Sequence, residues 1–494
     1  MSERNTLLES VLVIFSGTLA IRLVKIGFTP VLVRIIGQAQ FGIFASVMAA
    51  FGVVSLVSNA GLFDSVRKHV AELQSESGEE RILVADSVVL ASTYGLVGTV
   101  VMVTLTRLPL GFGQESSAYL LLLALAVIPK NLFGVFRGAF YGRQQEQRVE
   151  PLQVMRELVY AVVGLTLAAN GFGLIGVFFG YMFAVYASTA VAGFMTYSNF
   201  NGSELDRFED IGRYSRKVAR YGGAQAVGGI AAMLLYQADV LLVNYFGSST
   251  ETALYKAALI PAQFIWIVPT VIQIALLQNA SSHWSNRRID AITSNVRTGL
   301  RYAFLALSLF GIGLFALADE FLAVYFGSGY GGSTLPLQIL IVGSFFFGLN
   351  RILNPVLQST GWIVHTQSVG VLGLLANIIL NVLFIPRYGI VGAALATAIS
   401  YVMIFLGNLF VWRSTEFGYL KPRTIVSLVG TFSLFAVVYV PLVDAVAIGT
   451  MSSLLVFPPV GGLLFFVLCV RTGVIRGAEL TLLRSRVARV LDRE

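Results

Sequence analysis

The sequence predicts an all-α protein that crosses the membrane many times. Hydrophobic residues make up 56% of its 494 residues, and charged residues make up only 12%. A soluble chain carries roughly a quarter charged residues. Apolar stretches long enough to cross a bilayer as a helix recur from one end of the chain to the other. At about 20 residues for each crossing, they predict about fourteen transmembrane helices, arranged as two six-helix lobes followed by two further helices.

The predicted spans follow one another with mostly short connections. The first begins near the N-terminus and is too long for the apolar core of a signal peptide, so we expect it to be retained as a helix. The longer connections are expected at 64–81, 198–219 and 281–299 and after Val470. The spans are predicted at 8–33, 41–63, 82–106, 118–140, 152–170, 173–197, 220–246, 253–280, 300–326, 335–358, 362–385, 389–412, 424–442 and 446–470.

Loop charges predict the orientation of these helices. If the N-terminus is cytoplasmic, the loops of the opposite side hold only Arg34, Arg107 and Arg387 as basic residues. All other loop Lys and Arg then lie on the cytoplasmic side, where basic residues accumulate. A missed helix would reverse the bias for every later loop, yet the bias persists to the last residue. We therefore expect an even number of spans, with both termini in the cytoplasm.

Two pairs of similar segments predict an internal repeat. GFGLIGVFFGY (171–181) aligns with RYGIVGAALAT (387–397), and IIGQAQFGIF (35–44) aligns with YFGSSTETALY (245–255) at nearly the same offset. Parallel repeats of this kind occur in transporters, where the binding site lies between the halves near the midplane. The predicted divisions are an N-terminal lobe at 1–197, a cytoplasmic linker at 198–219, a C-terminal lobe at 220–412, two further helices within 413–470 and a basic cytoplasmic tail at 471–494.

Basic residues inside the predicted helices are the main functional signal. A charge at the bilayer centre costs at least about 2.5–3.5 kcal/mol, so it normally faces a protein interior or a wet cavity. Arg22 and Lys130 lie near the middle of their helices, and Lys25 and Arg137 share their respective faces. Arg351 lies in the inner half of the tenth predicted helix. We predict that these five residues bind a phosphate or pyrophosphate group.

Acidic residues that could balance these cations are few. Asp239 is the clearest buried acid, and it is a candidate for coupling or for charge pairing with Lys256 on the next helix. Arg156, beside Glu157 near the inner end of the fifth helix, is interpreted as part of a local ion pair or as a headgroup contact. The remaining surplus of positive charge suits an anionic ligand, since Arg offers bidentate geometry to a phosphate and Lys a point charge.

Several function classes lack their sequence signatures. The chain has no phosphate-binding loop for ATP and no HExxH motif, and its three histidines are far apart. Its single cysteine, Cys469, lies in an apolar run and is expected to be buried. We therefore expect no metal, no cofactor and no enzymatic activity. The basic residues are scattered between apolar segments, which points to lipid headgroups as partners and not to nucleic acid.

Four segments carry a resemblance to a known family. They are NIILNVLFIPRYGIVGAALATAISY (377–401), QADVLLVNYFGSSTETALYKAA (237–258), GQAQFGIFAS (37–46) and NAGLFDSVRKHVAE (59–72). They resemble segments of the polysaccharide transporters, which are the O-antigen and lipid-linked oligosaccharide flippases of the multidrug/oligosaccharidyl-lipid/polysaccharide exporter superfamily. The resemblance extends over nearly the whole chain.

This resemblance implies a function. It implies a flippase that moves a polyprenyl-(pyro)phosphate-linked sugar or oligosaccharide across the cytoplasmic membrane by alternating access, for cell-surface polysaccharide or glycoprotein assembly. It also implies a central cationic cavity between two lobes, and a groove for the lipid tail at the last two helices. The implied partners are the lipid-linked glycan, the bilayer, and the glycosyltransferases, polymerase or ligase of the same pathway.

Two alternatives stay open. One is an ion-coupled multidrug or toxic-compound exporter of the same superfamily. Such exporters usually have twelve helices and an acidic coupling residue in the first helix, whereas the first helix here carries Arg22 and Lys25. The other is a non-transporting scaffold of an envelope-synthesis complex, which would not require cations at the midplane.

Overall fold

A computed structural model describes residues 2–73, 77–109, 111–199, 212–446 and 448–475, and for residues 2–15, 77 and 278 it describes the backbone only. Within these ranges every regular element is a helix. The all-α prediction is therefore confirmed. The helices form two compact units, Met1–Ala253 and Leu254–Glu494, which we call unit 1 and unit 2.

Unit 1 contains nine complete helices and the beginning of a tenth, most of them long and apolar. They are α1 (Ser2–Ile36), α2 (Gln38–Asn59), α3 (Leu62–Glu72), α4 (Ser77–Leu105), α5 (Gln114–Ala124), α6 (Val127–Gly142), α7 (Glu146–Leu167), α8 (Gly173–Asn199), α9 (Ser215–Phe246) and α10 (Ser249–Phe264). Unit 2 begins within α10 and continues with α11 (Ile267–Ser285), α12 (Ile289–Ala316), α13 (Ala318–Tyr325), α14 (Thr334–Ser359), α15 (Ile363–Arg413), α16 (Pro422–Ala445) and α17 (Thr450–Arg471).

The chain is a multi-pass membrane protein by the length and composition of these helices. Among the described residues, nine helical segments are long and apolar enough to cross a bilayer, or up to eleven if each of two bent pairs is one span. Two of the nine segments are 54 and 51 residues long, far more than one crossing requires. The predicted number of fourteen stays a prediction, because it requires that both long segments cross twice and that α1 be included.

Both long segments turn back on themselves at a glycine. Gly173 has φ 52° and ψ −140°, and Gly389 has φ 56° and ψ −137°, a conformation that side chains other than hydrogen rarely allow. On either side of Gly389, the Asn377 amide donates a hydrogen bond to Thr397 Oγ1 at 3.3 Å. In a straight helix these two residues would lie about 30 Å apart. The two glycines also occupy the aligned positions of the predicted repeat.

A proline determines the break between α5 and α6. Pro129 has no N–H to donate to the carbonyl of Leu125, and its ring crowds that carbonyl, so the helix bends by 41° at this point. The freed oxygen of Leu125 accepts a hydrogen bond from the Tyr186 hydroxyl at 2.8 Å, and the Ala124 oxygen accepts one from Thr99 at 3.0 Å. The fourth predicted helix is therefore two helices, and α6 starts at Val127, three residues before Lys130.

The N-terminal end of α9 and the residues just before it are bound to α3 and α4 by polar contacts. The buried carboxylate of Asp86 accepts hydrogen bonds from the backbone N–H groups of Gly212 and Tyr214 at 2.5 and 2.6 Å. Ser65 donates to the Val218 carbonyl at 2.9 Å, and Lys217 lies 3.1 Å from Glu72. These contacts hold α9 in unit 1, although the sequence places this helix in the C-terminal lobe.

The predicted domain boundaries therefore stay a prediction. The linker at 198–219 lies outside the described residues from 200 to 211, and the basic tail at 471–494 lies outside them from 476 onwards. The helices predicted at 424–442 and 446–470 correspond to α16 and α17. They pack through a buried cluster that includes Phe435, Tyr439, Phe465 and Cys469.

Candidate anion-binding site

Four basic side chains of α1, α6 and α7 form the centre of the candidate site. Lys25 is on α1, Lys130 and Arg137 are on α6, and Arg156 is on α7. The proline-induced start of α6 places Lys130 in its first turn, and Arg137 follows two turns later on the same face. Because α1 packs on α7, and α6 packs on both α7 and α8, these helices bring the cations toward one another.

Glu157 lies between two of these cations. Its Oε2 is 3.7 Å from Lys25 Nζ, and its Oε1 is 3.5 Å from Arg156 Nη2. The Glu157 side chain is 12% exposed and that of Arg156 is 18% exposed, whereas the Lys25 side chain is 60% exposed. The pairing of Arg156 with Glu157 is as the sequence predicted, but the same carboxylate also reaches Lys25 on another helix.

Lys130 has an aromatic partner in place of an acid. Its Nζ lies 4.5 Å from the ring centroid of Phe51 on α2, a cation–π contact. Arg156, Lys25 and Glu157 are all close enough to act on it electrostatically. Among the residues that the structure describes, no carboxylate lies within ion-pair distance of Lys130. Its ammonium group therefore keeps donors for a further acceptor.

Aromatic side chains form the wall around these charges. The Tyr160 ring lies 4.9 Å from Phe28 and 5.3 Å from Tyr181, and Tyr181 packs edge-on against Phe51 at 5.5 Å. The Tyr160 side chain is 7% exposed, and its hydroxyl has no hydrogen-bond partner in the described structure. A buried hydroxyl without a partner is costly, which makes it a candidate contact for a bound molecule.

Arg137 is already engaged by a carboxylate. Its Nε and Nη2 donate to Glu150 Oε1 at 3.1 and 2.9 Å, and Nη2 also contacts the Tyr141 hydroxyl at 3.1 Å. Tyr141 and Gln153 donate to the same Glu150 oxygen. Asp239 is buried as expected, at 1% exposed, and Glu150 at 3% and Glu157 at 12% are further acids of unit 1 that lie away from solvent. The predicted role of Arg137 in ligand binding stays a prediction.

The other predicted site residues are Arg22 and Asp239 in unit 1 and Arg351 and Lys256 in unit 2. Arg22 is half-buried on α1, three residues before Lys25. In unit 2, Arg351 donates to Gln273 Oε1 at 3.0 Å and lies over the ring of Trp266 at 4.8 Å. Asp239 is buried in unit 1, whereas Lys256 is in unit 2, and their predicted pairing stays a prediction.

An apolar cavity of about 710 Å³ lies elsewhere in unit 1, between α2, α4 and α9. Its lining includes Val54, Val57, Val101 and Leu242, and Ser58 is one of its few polar residues. Such a lining suits a hydrocarbon chain better than a sugar or a phosphate, since it offers few hydrogen-bond partners. Lys25, Lys130 and Arg156 are not among the residues that line this cavity.

Sequence reasoning missed Glu150, the contact of Glu157 with Lys25, and Tyr160. Glu150 was assigned to a loop, although it lies in the second turn of α7. The spacing of Glu150, Gln153 and Glu157 at helical intervals is a signal that could have placed the two acids on one inward face. Tyr160 carries no comparable signal, because tyrosine is common in apolar helices.

The fold and this site define a polytopic membrane protein with a cationic site inside its spanning helices. The sequence matches a family described as "Polysaccharide biosynthesis protein" over residues 7–277, which is more than half of the chain. The chain belongs to this polysaccharide biosynthesis protein family.

Two similar proteins come from Haloferax volcanii. One is named "Probable low-salt glycan biosynthesis flippase Agl15", and it is 21% identical over 370 residues, which cover 75% of this chain and 76% of that protein. The other is named "Probable flippase AglR", with 23% identity over 377 residues, 74% of this chain and 75% of that protein. The structure also resembles "Lipid II flippase MurJ, inward closed conformation", with a TM-score of 0.78, 13% identity, and coverage of 94% of this chain and 99% of that chain. This likeness shows a shared fold.

Proposed function

We propose that this protein is a flippase that translocates a polyprenyl-(pyro)phosphate-linked sugar or oligosaccharide across the cytoplasmic membrane. The observation that carries this proposal is the cluster of Lys25, Lys130 and Arg156 inside the spanning helices of a polysaccharide biosynthesis family member. Cations within membrane-spanning segments are costly, so they face the protein interior or a wet cavity and commonly mark a substrate pathway. A phosphate group linked to a lipid is a ligand that must pass through the membrane.

The names of the relatives support the glycan part of the proposal. Agl15 is named a glycan biosynthesis flippase, AglR is named a flippase, and the similar MurJ structure is that of a lipid II flippase. Transport by alternating access between two states accounts for movement without covalent chemistry, so we propose that the protein is not an enzyme. The basic loops support a cytoplasmic position for both termini. Glycosyltransferases and a polymerase or ligase of the same pathway are the proposed partners.

The proposal is tested by deleting the gene and measuring lipid-linked sugars by mass spectrometry. The deletion strain should accumulate them, and the wild-type gene should clear them. Lys130→Ala and Arg22→Ala should fail to clear them although the proteins insert normally, since both remove a predicted phosphate contact. Arg107→Ala, which removes an exposed cation on a predicted outer loop, is the matched control and should clear them.

The two alternatives have different outcomes in this experiment. Increased drug sensitivity without trapped lipid-linked sugar would favour a multidrug exporter. Normal export by Lys130→Ala and Arg22→Ala, combined with loss of export on deletion, would favour a scaffold and would rule out the assigned site.

A further inference from the structure

Glu150 and Glu157, the two acids of α7 that contact these cations, are held in different ways. Glu150 accepts hydrogen bonds from Arg137, Tyr141 and Gln153 on a single oxygen, at distances of 3.1 Å or less. Glu157 contacts its two cations at 3.5 and 3.7 Å. Charge-assisted hydrogen bonds between a cation and a carboxylate are typically about 2.7–2.9 Å long. Glu150 is therefore firmly bound, whereas Glu157 is loosely held.

The surroundings of Glu157 are those of an anion-binding site. Lys25 and Arg156 are in ion-pair contact with it, and Lys130 lies within its electrostatic field. The buried Tyr160 is one turn further along α7, close enough for Glu157 to act on its hydroxyl, which has no hydrogen-bond partner in the described structure. The three cations and the Tyr160 hydroxyl can together donate more hydrogen bonds than the single, loosely held carboxylate of Glu157 can accept. A phosphate has more acceptor oxygens and satisfies more of them.

We propose that Glu157 is the resident counter-anion of this site, and that the phosphate of the substrate displaces it. This proposal rests on the proposed function. In the empty site, Glu157 balances Lys25 and Arg156. When a phosphate binds, the cations turn to it and Tyr160 donates its hydroxyl hydrogen to a phosphate oxygen. The displaced carboxylate stays nearby and repels the phosphate, which promotes its release on the other side of the membrane.

The charge of Glu157 should therefore weaken ligand binding. We would measure binding of farnesyl diphosphate, a short prenyl diphosphate, to the full-length protein in lipid nanodiscs by isothermal titration calorimetry. Glu157→Gln should bind this probe about tenfold or more tightly than the wild type, because a like charge near the phosphate is removed. Glu157→Asp keeps the charge and should bind as the wild type does.

A control variant distinguishes a local effect of the Glu157 charge from an effect of the protein's net charge. Glu80→Gln removes another buried acid of unit 1, which pairs with Arg143 away from the cluster. Its affinity for farnesyl diphosphate should equal that of the wild type. In a flipping assay with reconstituted vesicles, Glu157→Gln should show slower turnover together with a lower KM, which a merely structural role would not produce.

The possible outcomes distinguish a failure of the counter-anion proposal from a failure of the proposed function. If the wild type binds the probe through Lys130 and Glu157→Gln binds no more tightly, the counter-anion role is wrong and the flippase proposal stands. If Glu157→Gln and Glu80→Gln tighten binding equally, the effect is one of net charge and the counter-anion role is also wrong. If the wild type does not bind the probe and Lys130→Ala exports normally, the proposed function itself is wrong.

Discussion

Arg137 places its guanidinium against one carboxylate oxygen of Glu150, a side chain that is only 3% exposed. The same guanidinium lies 4.6 Å from the ring centroid of Phe63. These contacts tie α6 to α7 and to the start of α3. A buried acid with such a partner is costly to leave unpaired. At this position the charge pair contributes to the packing of the helices that carry Lys130 and Arg156.

Replacing Arg137 tests this structural role. Arg137→Leu leaves the Glu150 carboxylate without its cation and should reduce the free energy of unfolding by about 3–5 kcal/mol. Chemical unfolding in detergent micelles measures the effect. The double variant Arg137→Leu with Glu150→Leu removes both charges and should recover most of the loss. Unchanged stability with lost export would instead assign Arg137 to the substrate, as the sequence predicts.

The sequence was informative about cations and less so about acids. A basic residue in the middle of an apolar stretch is conspicuous, and Lys25 and Lys130 were found in this way. Glu150 and Glu157 lie nearer the end of the apolar stretch, where polar residues are expected. Their burial depends on how α1, α6 and α7 pack, and a single sequence does not contain that packing.

The glycine turns at Gly173 and Gly389 determine how two pairs of helices fold back. Both backbones have positive φ with ψ near −140°, where a Cβ atom meets the neighbouring peptide groups. The α7–α8 pair supplies Arg156, Glu157 and Tyr160, so the first turn also positions the candidate site. Strain in this turn should therefore affect both folding and transport.

Alanine substitution tests these turns. Gly173→Ala and Gly389→Ala should each cost about 1–3 kcal/mol, because the backbone must hold a residue with a side chain in a sparsely populated region. Gly370→Ala is the matched control, since Gly370 is helical within α15 and has open space around it. It should leave stability unchanged or raise it by up to about 1 kcal/mol. Equal stability of all three variants by thermal unfolding would contradict the strain argument.

Helix positions were predicted best where glycine or a loop marked the ends. The turns near 170–173 and 385–389 were predicted because Gly173 and Gly389 follow long apolar runs. The sequence marks Pro129 as a residue that interrupts its helix, but it does not show which neighbour satisfies the carbonyl that the proline frees. Here Tyr186 does so, and only the folded structure reveals that partner.

The loop charges predict an orientation for the whole chain. In a variant with Cys469→Ala, single cysteines at exposed Gln114 and Asn286 can be labelled with a membrane-impermeant maleimide. Gln114→Cys should react in intact cells, because its loop is predicted to be outside. Asn286→Cys should react only after permeabilisation. Reaction of both in intact cells would mean that the number of spans between them is not the predicted one.

For the whole molecule, the sequence predicted the fold class and the family, but it did not predict the packing of α9. The predicted repeat assigns α9 to the C-terminal lobe, yet Asp86, Glu72 and Ser65 contact its N-terminal end within unit 1. These contacts join residues that are far apart in the chain. They are made by polar residue types that are also common in loops. Composition and periodicity give no information about them.

The matching turns at Gly173 and Gly389 also bear on ancestry. Duplication and fusion of one gene segment would place the same rare backbone conformation at two aligned positions. If the predicted repeat arose in this way, the turn is older than the duplication, and the ancestral protein was a half-length chain that already contained this hairpin.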